Sequence, residues 1–241
     1  MNALPTEALI LAGGLGTRLR SVVSDVPKPM AEVSGKPFLA HVVEYWIAQG
    51  ITRFVLSVGY KSEVIEAYFG AHYNGAAIGY CVEPEPLGTG GGIHYALTHA
   101  TFRGTHTLIL NGDTIFLADG AKLAADAARN TRAITLSLKT VGDNNRYGGV
   151  VVANNGQITA FESNRGGEML INAGCYLVEL AGLKKLLAPH APRFSFEEDV
   201  LKPCAKAGLL AASIQEKPFL DIGIPDDYQR AAEFLSAKGY S

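Results

Sequence analysis

The chain has 241 residues, with 21 Lys and Arg against 23 Asp and Glu and a formal net charge of −2 at pH 7. That length suits one large α/β domain or two small ones, and the even charge without a basic tail or stripe disfavours nucleic acid and anionic membranes as partners. No run of roughly 18 or more apolar residues occurs, the start MNALPTEALI lacks signal-peptide features, and the cysteines (Cys81, Cys175, Cys204) are odd in number and far apart, so buried free thiols and a cytoplasmic location are expected.

The first half alternates strands and helices. Ala8 to Ala12 reads as a strand that runs into Gly13, Gly14 and Gly16, where missing side chains let backbone N–H groups close on an anion. Arg18 offers phosphate oxygens a planar fork. Lys28 offers a compact ammonium whose direction Pro27 and Pro29 restrict. Phe38 to Gln49 is expected as a helix, Phe54 to Val58 as a strand, and Ser62 to Phe69 as a helix with Ser62 at its N-cap. A strand at Ile78 to Val82, a helix from Thr89 to about Thr98 and a strand at Thr107 to Leu110 follow. Such alternation argues for a parallel sheet covered on both faces, with ligands at the carboxyl ends of its strands. The glycine loop and the segments after Val82 and Leu110 share that rim.

The second half is different. Strands are expected at Ala133 to Leu138, Gly149 to Val152, Ile158 to Phe161 and Ile171 to Val178, with a turn at Asn154-Asn155-Gly156. Helices at about Glu179 to Leu187 and Phe196 to Lys206, a strand near Leu209 to Ile214 and a helix beginning near Pro225 complete the chain. The expectation is a single Rossmann-like α/β domain over 1–241. Its sheet is mixed and mostly parallel, with helices on both faces and antiparallel elaboration in the second half. Residues 1 to about 130 form a nucleotide-binding half, and about 131 to 241 a half for the second substrate.

Two nucleotide loops are excluded locally. A Walker A loop needs Gly-Lys-Ser/Thr where Thr17-Arg18 stands, and a dinucleotide turn needs a third glycine where Leu19 stands. The ordered series Gly-Gly-x-Gly-x-Arg followed by Pro-Lys-Pro instead resembles the signature of the sugar-1-phosphate nucleotidyltransferases, and the likeness runs over nearly the whole chain. The stretch SVVSDVPKPMAEVSGKPFL is similar to the bacterial branch that guanylylates D-glycero-α-D-manno-heptose 1-phosphate. The resemblance implies a GT-A-like nucleotidyltransferase fold, GTP and a sugar 1-phosphate as substrates, Mg2+ as cofactor, and a GDP-heptose for surface polysaccharide synthesis. It admits a homodimer. Mannose-1-phosphate guanylyltransferase and uridylyltransferase activities stay open within the family, and a non-catalytic nucleotide-sugar sensor or a redox Rossmann protein outside it.

Nucleotidyl transfer brings an anionic sugar phosphate to an anionic α-phosphate, so positioning and charge neutralisation should dominate. By resemblance, Arg18, Lys28 and Asp113 are the catalytic candidates, and Asp113 and Asp221 the metal ligands, each placed by its motif (Asn111-Gly112-Asp113 and Asp221-Ile222-Gly223). The nucleotide falls to Leu11, Ala12, Gly13, Gly14, Gly16, Thr17, Glu83, Pro86, Gly88, Thr89 and Gly112. Glu83 is singled out for the base. A carboxylate only accepts hydrogen bonds, and guanine presents adjacent N1–H and N2–H donors, whereas uracil presents one N–H between two carbonyls. Glu85 or a backbone group stays open as the alternative reader. Gly88 would let a base or ribose approach the backbone.

The resemblance assigns the sugar phosphate to Tyr147, Gly148, Glu162, Asn172 and Ala173, with Lys217 a further candidate. Here the chain departs from the family: Asn164 stands where its Phe-x-Glu-Lys lysine is expected, leaving Arg165, Lys217 or Lys28 to supply the charge. Ser195 to Asp199 reads equally as a helix cap and as a sugar contact.

Overall fold

The computed structural model describes residues 3–14, 16, 19, 23, 25–142, 147–163, 166–237 and 239. Strand β1 (Glu7–Leu11) precedes the glycine loop, and a turn of 3-10 helix at Lys28–Met30 leads to the small ribbon β2 (Glu32–Val33) and β3 (Lys36–Pro37). Next come α1 (Phe38–Ala48), β4 (Arg53–Val58), α2 (Ser62–Phe69), β5 (His72–Tyr73), β6 (Ala76–Val82), α3 (Gly88–His99) and β7 (His106–Asn111). Strands β1, β4, β6 and β7 pair in parallel. Their side chains alternate between two cores. Ala8 and Ile10 join the cluster that holds α1, while Leu9 and Val55 join the one that holds α3. Burial on both faces explains why β1, β4 and β7 are apolar through their centres.

Ser62 is not the cap of α2. Lys61 holds that position in a left-handed conformation (φ 53°) with no side-chain cap bond, and the Ser62 N–H instead donates to the Gly59 carbonyl at 3.1 Å. No sequence expectation covers β8 (Thr114–Phe116) or α4 (Gly120–Arg129), which Asp119 caps by accepting from the Lys122 N–H at 3.0 Å.

The second half adds β9 (Ile134–Val141), β10 (Gly149–Val152), β11 (Gln157–Glu162), β12 (Met169–Glu179) and α5 (Leu180–Leu187). A π-helical turn at Phe196–Leu201, α6 (Lys202–Lys206), β13 (Leu210–Ile214), β14 (Phe219–Asp221) and α7 (Pro225–Ser236) follow. One ten-stranded mixed sheet runs β10-β11-β13-β9-β12-β7-β1-β4-β6-β5. Its direction changes at β12, which lies antiparallel between β7 and β9. The Asn154-Asn155-Gly156 turn joins antiparallel β10 and β11, with Gly156 at φ 77°. All three cysteines are buried and free, and no described helix is long and apolar enough to cross a membrane.

Two local features aim the fold at one rim. Strands β8 and β14 pair antiparallel with Thr114 opposite Asp221, and the Ile222 N–H donates to the Asp113 carbonyl at 3.0 Å. This two-stranded ribbon sets residues 108 apart in sequence side by side: 221 − 113. The second feature is a bulge in β12. Asn172 pairs with Leu138 and Tyr176 with Leu136, so four steps on β12 face two on β9. Such bulges re-aim side chains at functional sites.

Candidate active site

Lys28 lies between the two aspartates. Its Nζ donates to Asp113 Oδ2 at 2.6 Å and stands 3.9 Å from Asp221 Oδ1, with only 9% of the side chain exposed. The flanking prolines act as expected from the sequence. Pro27 is extended (φ −60°, ψ 147°) and Pro29 continues the 3-10 turn, which holds the lysine stem in place. Gly16 makes room for that stem. It adopts φ 56°, and a side-chain Cβ there would meet Lys28 Cβ at 2.7 Å. The aspartates are themselves held: Gly223 N–H donates to Asp221 Oδ1 at 2.5 Å, and the Thr114 hydroxyl to Asp113 Oδ1 at 3.2 Å.

Two hard carboxylates already converge on a cation, and this donor chemistry fits magnesium. Mg2+ takes one or two carboxylates and draws its other ligands from phosphates and water. Among the described residues no cluster of three or more His, Cys, Asp or Glu could hold a metal, so an all-protein cage is not on offer.

A cavity of about 460 Å³ opens beside Lys28. It brings together Leu11, Ala12, Gly13, Gly14, Gly16, Lys28, Glu83, Pro86, Gly88, Thr89 and Asp113 from the residues singled out by sequence. Asn111, Arg193 and Gly223 line it too, and the sequence reading missed them. Gly112 sits under the rim, donating its N–H to the Leu11 carbonyl at 2.9 Å. Thr17 and Arg18 lie outside the described residues, as do Asn164 and Arg165.

Gly88 lines this cavity and also makes room for a neighbouring stretch of backbone. It adopts φ 73°, and a Cβ there would meet the Phe194 carbonyl oxygen at 2.6 Å. That carbonyl accepts from the Gly90 and Gly91 N–H groups at 3.1 and 3.4 Å, the Phe194 N–H donates to Leu87 O at 3.1 Å, and the Phe196 N–H donates to Thr89 Oγ1 at 2.9 Å. The start of α3 is therefore capped by the chain itself. The same clasp fixes the backbone directly after Arg193, an exposed residue that lines the nucleotide cavity.

A second cavity of about 210 Å³ shares Leu11, Thr89 and Asn111 with the first, and contains Tyr147, Asn172, Ala173, Tyr176, Glu197 and Asp221. Asn172 is fully engaged by its neighbours. Its Nδ2 donates to Tyr176 Oη at 2.9 Å and to Glu197 Oε2 at 3.1 Å, and its Oδ1 accepts from the Gly174 N–H at 3.1 Å. Burial raises the Tyr176 pKa above the ordinary 10 of a phenol, so its O–H stays a donor at neutral pH. Asn172 thus braces the bulge and aims Tyr176 and Glu197. Ser195 does cap the π-helical turn, accepting from the Glu198 N–H at 3.2 Å, and the cap sets Glu197 on the cavity side.

Gly148, Glu162 and Lys217 are not in either cavity lining. Gly148 lies against the Glu162 backbone, 3.0 Å from a notional Cβ to that carbonyl, at the β10–β11 edge. Lys217 is exposed, as is Glu216, although Gln215 just before them is buried (3% exposed). A larger groove of about 560 Å³ runs along α7 beyond Tyr147 and Asp221. Its lining carries Asp227 and Glu233, and its cation Arg230 is paired with Asp227, so it offers an anionic substrate little.

A glycine loop, a lysine and two aspartates at the rim of a parallel sheet, beside a second polar cavity, define a nucleotidyl-transfer site. The chain belongs to the nucleotidyl transferase family, whose profile matches residues 7–238. Among its relatives, the D-glycero-alpha-D-manno-heptose 1-phosphate guanylyltransferase of Aneurinibacillus thermoaerophilus is 42% identical over 95% of this chain and 98% of its own length. The enzyme of that name from Campylobacter jejuni is also 42% identical, over 92% and 96%. The crystal structure of HddC from Yersinia pseudotuberculosis superposes with a TM-score of 0.82 at 36% identity, covering 94% of this chain and 98% of that one; a complex of HddC with GMP-PN gives 0.81.

Proposed function

We propose that the protein is a magnesium-dependent guanylyltransferase acting on D-glycero-α-D-manno-heptose 1-phosphate. The observation that carries the reading is Lys28 held between Asp113 and Asp221 where the two cavities adjoin. The larger cavity would take GTP and the smaller one the sugar. The relatives' printed activities support the choice of both substrates, and the acceptor-only wall at Glu83 supports guanine.

In the reaction, an ionised oxygen of the sugar phosphate attacks the α-phosphorus of GTP. The bond to the β-phosphate breaks, pyrophosphate leaves and GDP-heptose remains. No general base is needed. Lys28 would neutralise charge between the two phosphates, with Arg18 on the triphosphate by family resemblance. Arg193, which lines the nucleotide cavity, would add a second cation on the triphosphate. Asp113 and Asp221 would hold Mg2+, which when bound offsets phosphate charge. Asn172 would orient Tyr176 and Glu197 toward sugar hydroxyls. The GDP-heptose would supply surface polysaccharide synthesis.

The test is pyrophosphate release from four NTPs against heptose, mannose and glucose 1-phosphates. Turnover should be greatest with GTP and the heptose. Preference for UTP or dTTP would remove the guanine reading, and GTP binding without pyrophosphate release would make the protein a sensor.

A further inference from the structure

We infer that Ser57, at the carboxyl end of β4, is a positioning residue for base selection. The inference rests on the reading of Glu83 as the group that meets the base, and it names what aims that carboxylate.

Ser57 is fully buried, and its hydroxyl donates to Glu83 Oε1 at 2.9 Å. A hydroxyl buried between Leu56 and Val58 is costly unless bonded, so its presence calls for this partner. The Leu87 N–H donates to Glu83 Oε2 at 3.2 Å. Each carboxylate oxygen therefore receives one fixed donor from the protein and keeps a lone pair for the cavity that Glu83 lines. The backbone of Ser57 also ties down the glycine loop: its carbonyl accepts from the Ala12 N–H at 2.8 Å. One residue thus sets the base wall and the phosphate loop in mutual register.

Two glycines enclose the carboxylate. A Cβ on Gly13 would meet Glu83 Oε1 at 2.8 Å, and a Cβ on Gly92 would meet it at 2.7 Å. Gly92 lies inside α3, where glycine costs about 1 kcal/mol relative to alanine. Only the flexible end of Glu83 would have to give way to an alanine there, so the glycine preserves the carboxylate position against helix propensity.

The test uses three variants of the full chain, each followed by thermal melting and by steady-state kinetics with GTP and UTP. Ser57→Ala should raise KM for GTP by about 10-fold with kcat within about 2-fold, and should lower the GTP-over-UTP ratio similarly. Gly92→Ala should shift the ratio the same way while Tm holds or rises, a combination that loss of structure cannot produce. Glu83→Ala separates the two readings. If it retains the GTP preference, Glu83 is not the base reader and the inference falls with that reading. If it loses the preference while Ser57→Ala and Gly92→Ala keep the wild-type KM for GTP, the base reading stands and the positioning role of Ser57 is overturned.

Discussion

The rim of the parallel strands and the bulged end of β12 build their parts of the site from different materials. On the rim, residues close in sequence do the work: Leu11 to Gly14 and Gly16 line one side, and Glu83, Pro86, Gly88 and Thr89 line the opposite wall. At the bulge, the pocket is assembled from residues distant in sequence, with Asn172 and Tyr176 from β12, Glu197 from the π-helical turn and Asp221 from β14. Nucleotide phosphates are met by backbone and a few fixed cations, which short motifs encode. A sugar is met by side-chain hydroxyl readers, which long-range packing must bring together. The two regions join at Lys28, whose partners Asp113 and Asp221 lie one on each side.

If that junction is the reaction centre, Asp113→Asn should be the most damaging change, lowering kcat/KM by about 10³-fold or more, or roughly 4 kcal/mol of transition-state stabilisation. Nucleotide-dependent Mn2+ binding, followed by electron paramagnetic resonance, should weaken in parallel. Lys28→Met should cost about 10² to 10³-fold in kcat with little change in Tm, since it removes a cation from between two acidic groups that remain partly wet.

The two sides separate in the next pair of variants. Asn172→Ala releases Tyr176 and Glu197 together and should raise KM for the sugar phosphate about 10-fold while KM for GTP stays put. Equal effects on both substrates would erase the division between cavities. Arg193→Ala should weaken substrate binding about 5- to 10-fold, with the loss shrinking at high salt because the guanidinium is exposed.

The smallest effect lies away from both regions. Asp126 lies on the buried face of α4. Burial alone would raise its pKa, but hydrogen bonds from Lys122, Ser213 and Arg129 outweigh that and hold it below the ordinary 3.8. A depressed carboxylate stabilises the fold above its unfolded pKa, and that contribution is lost as pH falls through the folded value. Asp126→Asn should therefore cost about 1 to 2 kcal/mol at pH 7, converge with wild type in melting experiments below about pH 4, and leave kcat unchanged.

The legibility of the chain follows the same division. Strands β1, β4 and β7 were readable because burial on both faces makes their centres apolar. The glycine loop, Lys28 and Asp113 were readable because each motif is contiguous. The ribbon of β8 and β14 was not, since three-residue strands carry no periodicity, yet it is what brings Asp221 to Asp113. Arg193 was missed because a lone arginine between a proline and a phenylalanine carries no local signature. Its importance comes from the Phe194 clasp on α3, a tertiary fact. Lys217 was one candidate to replace the family lysine missing at Asn164, chosen for its charge alone, and it lies outside both cavities.

The central claim is that the two cavities join a nucleotide to a sugar phosphate across Lys28. Single-turnover transfer from GTP labelled at the α-phosphorus, with D-glycero-α-D-manno-heptose 1-phosphate and Mg2+, tests it most directly. The account predicts that label passes into GDP-heptose in step with pyrophosphate release, and that Asp113→Asn stops both. Label recovered in GDP or GMP, or remaining in bound GTP with no pyrophosphate formed, would contradict it.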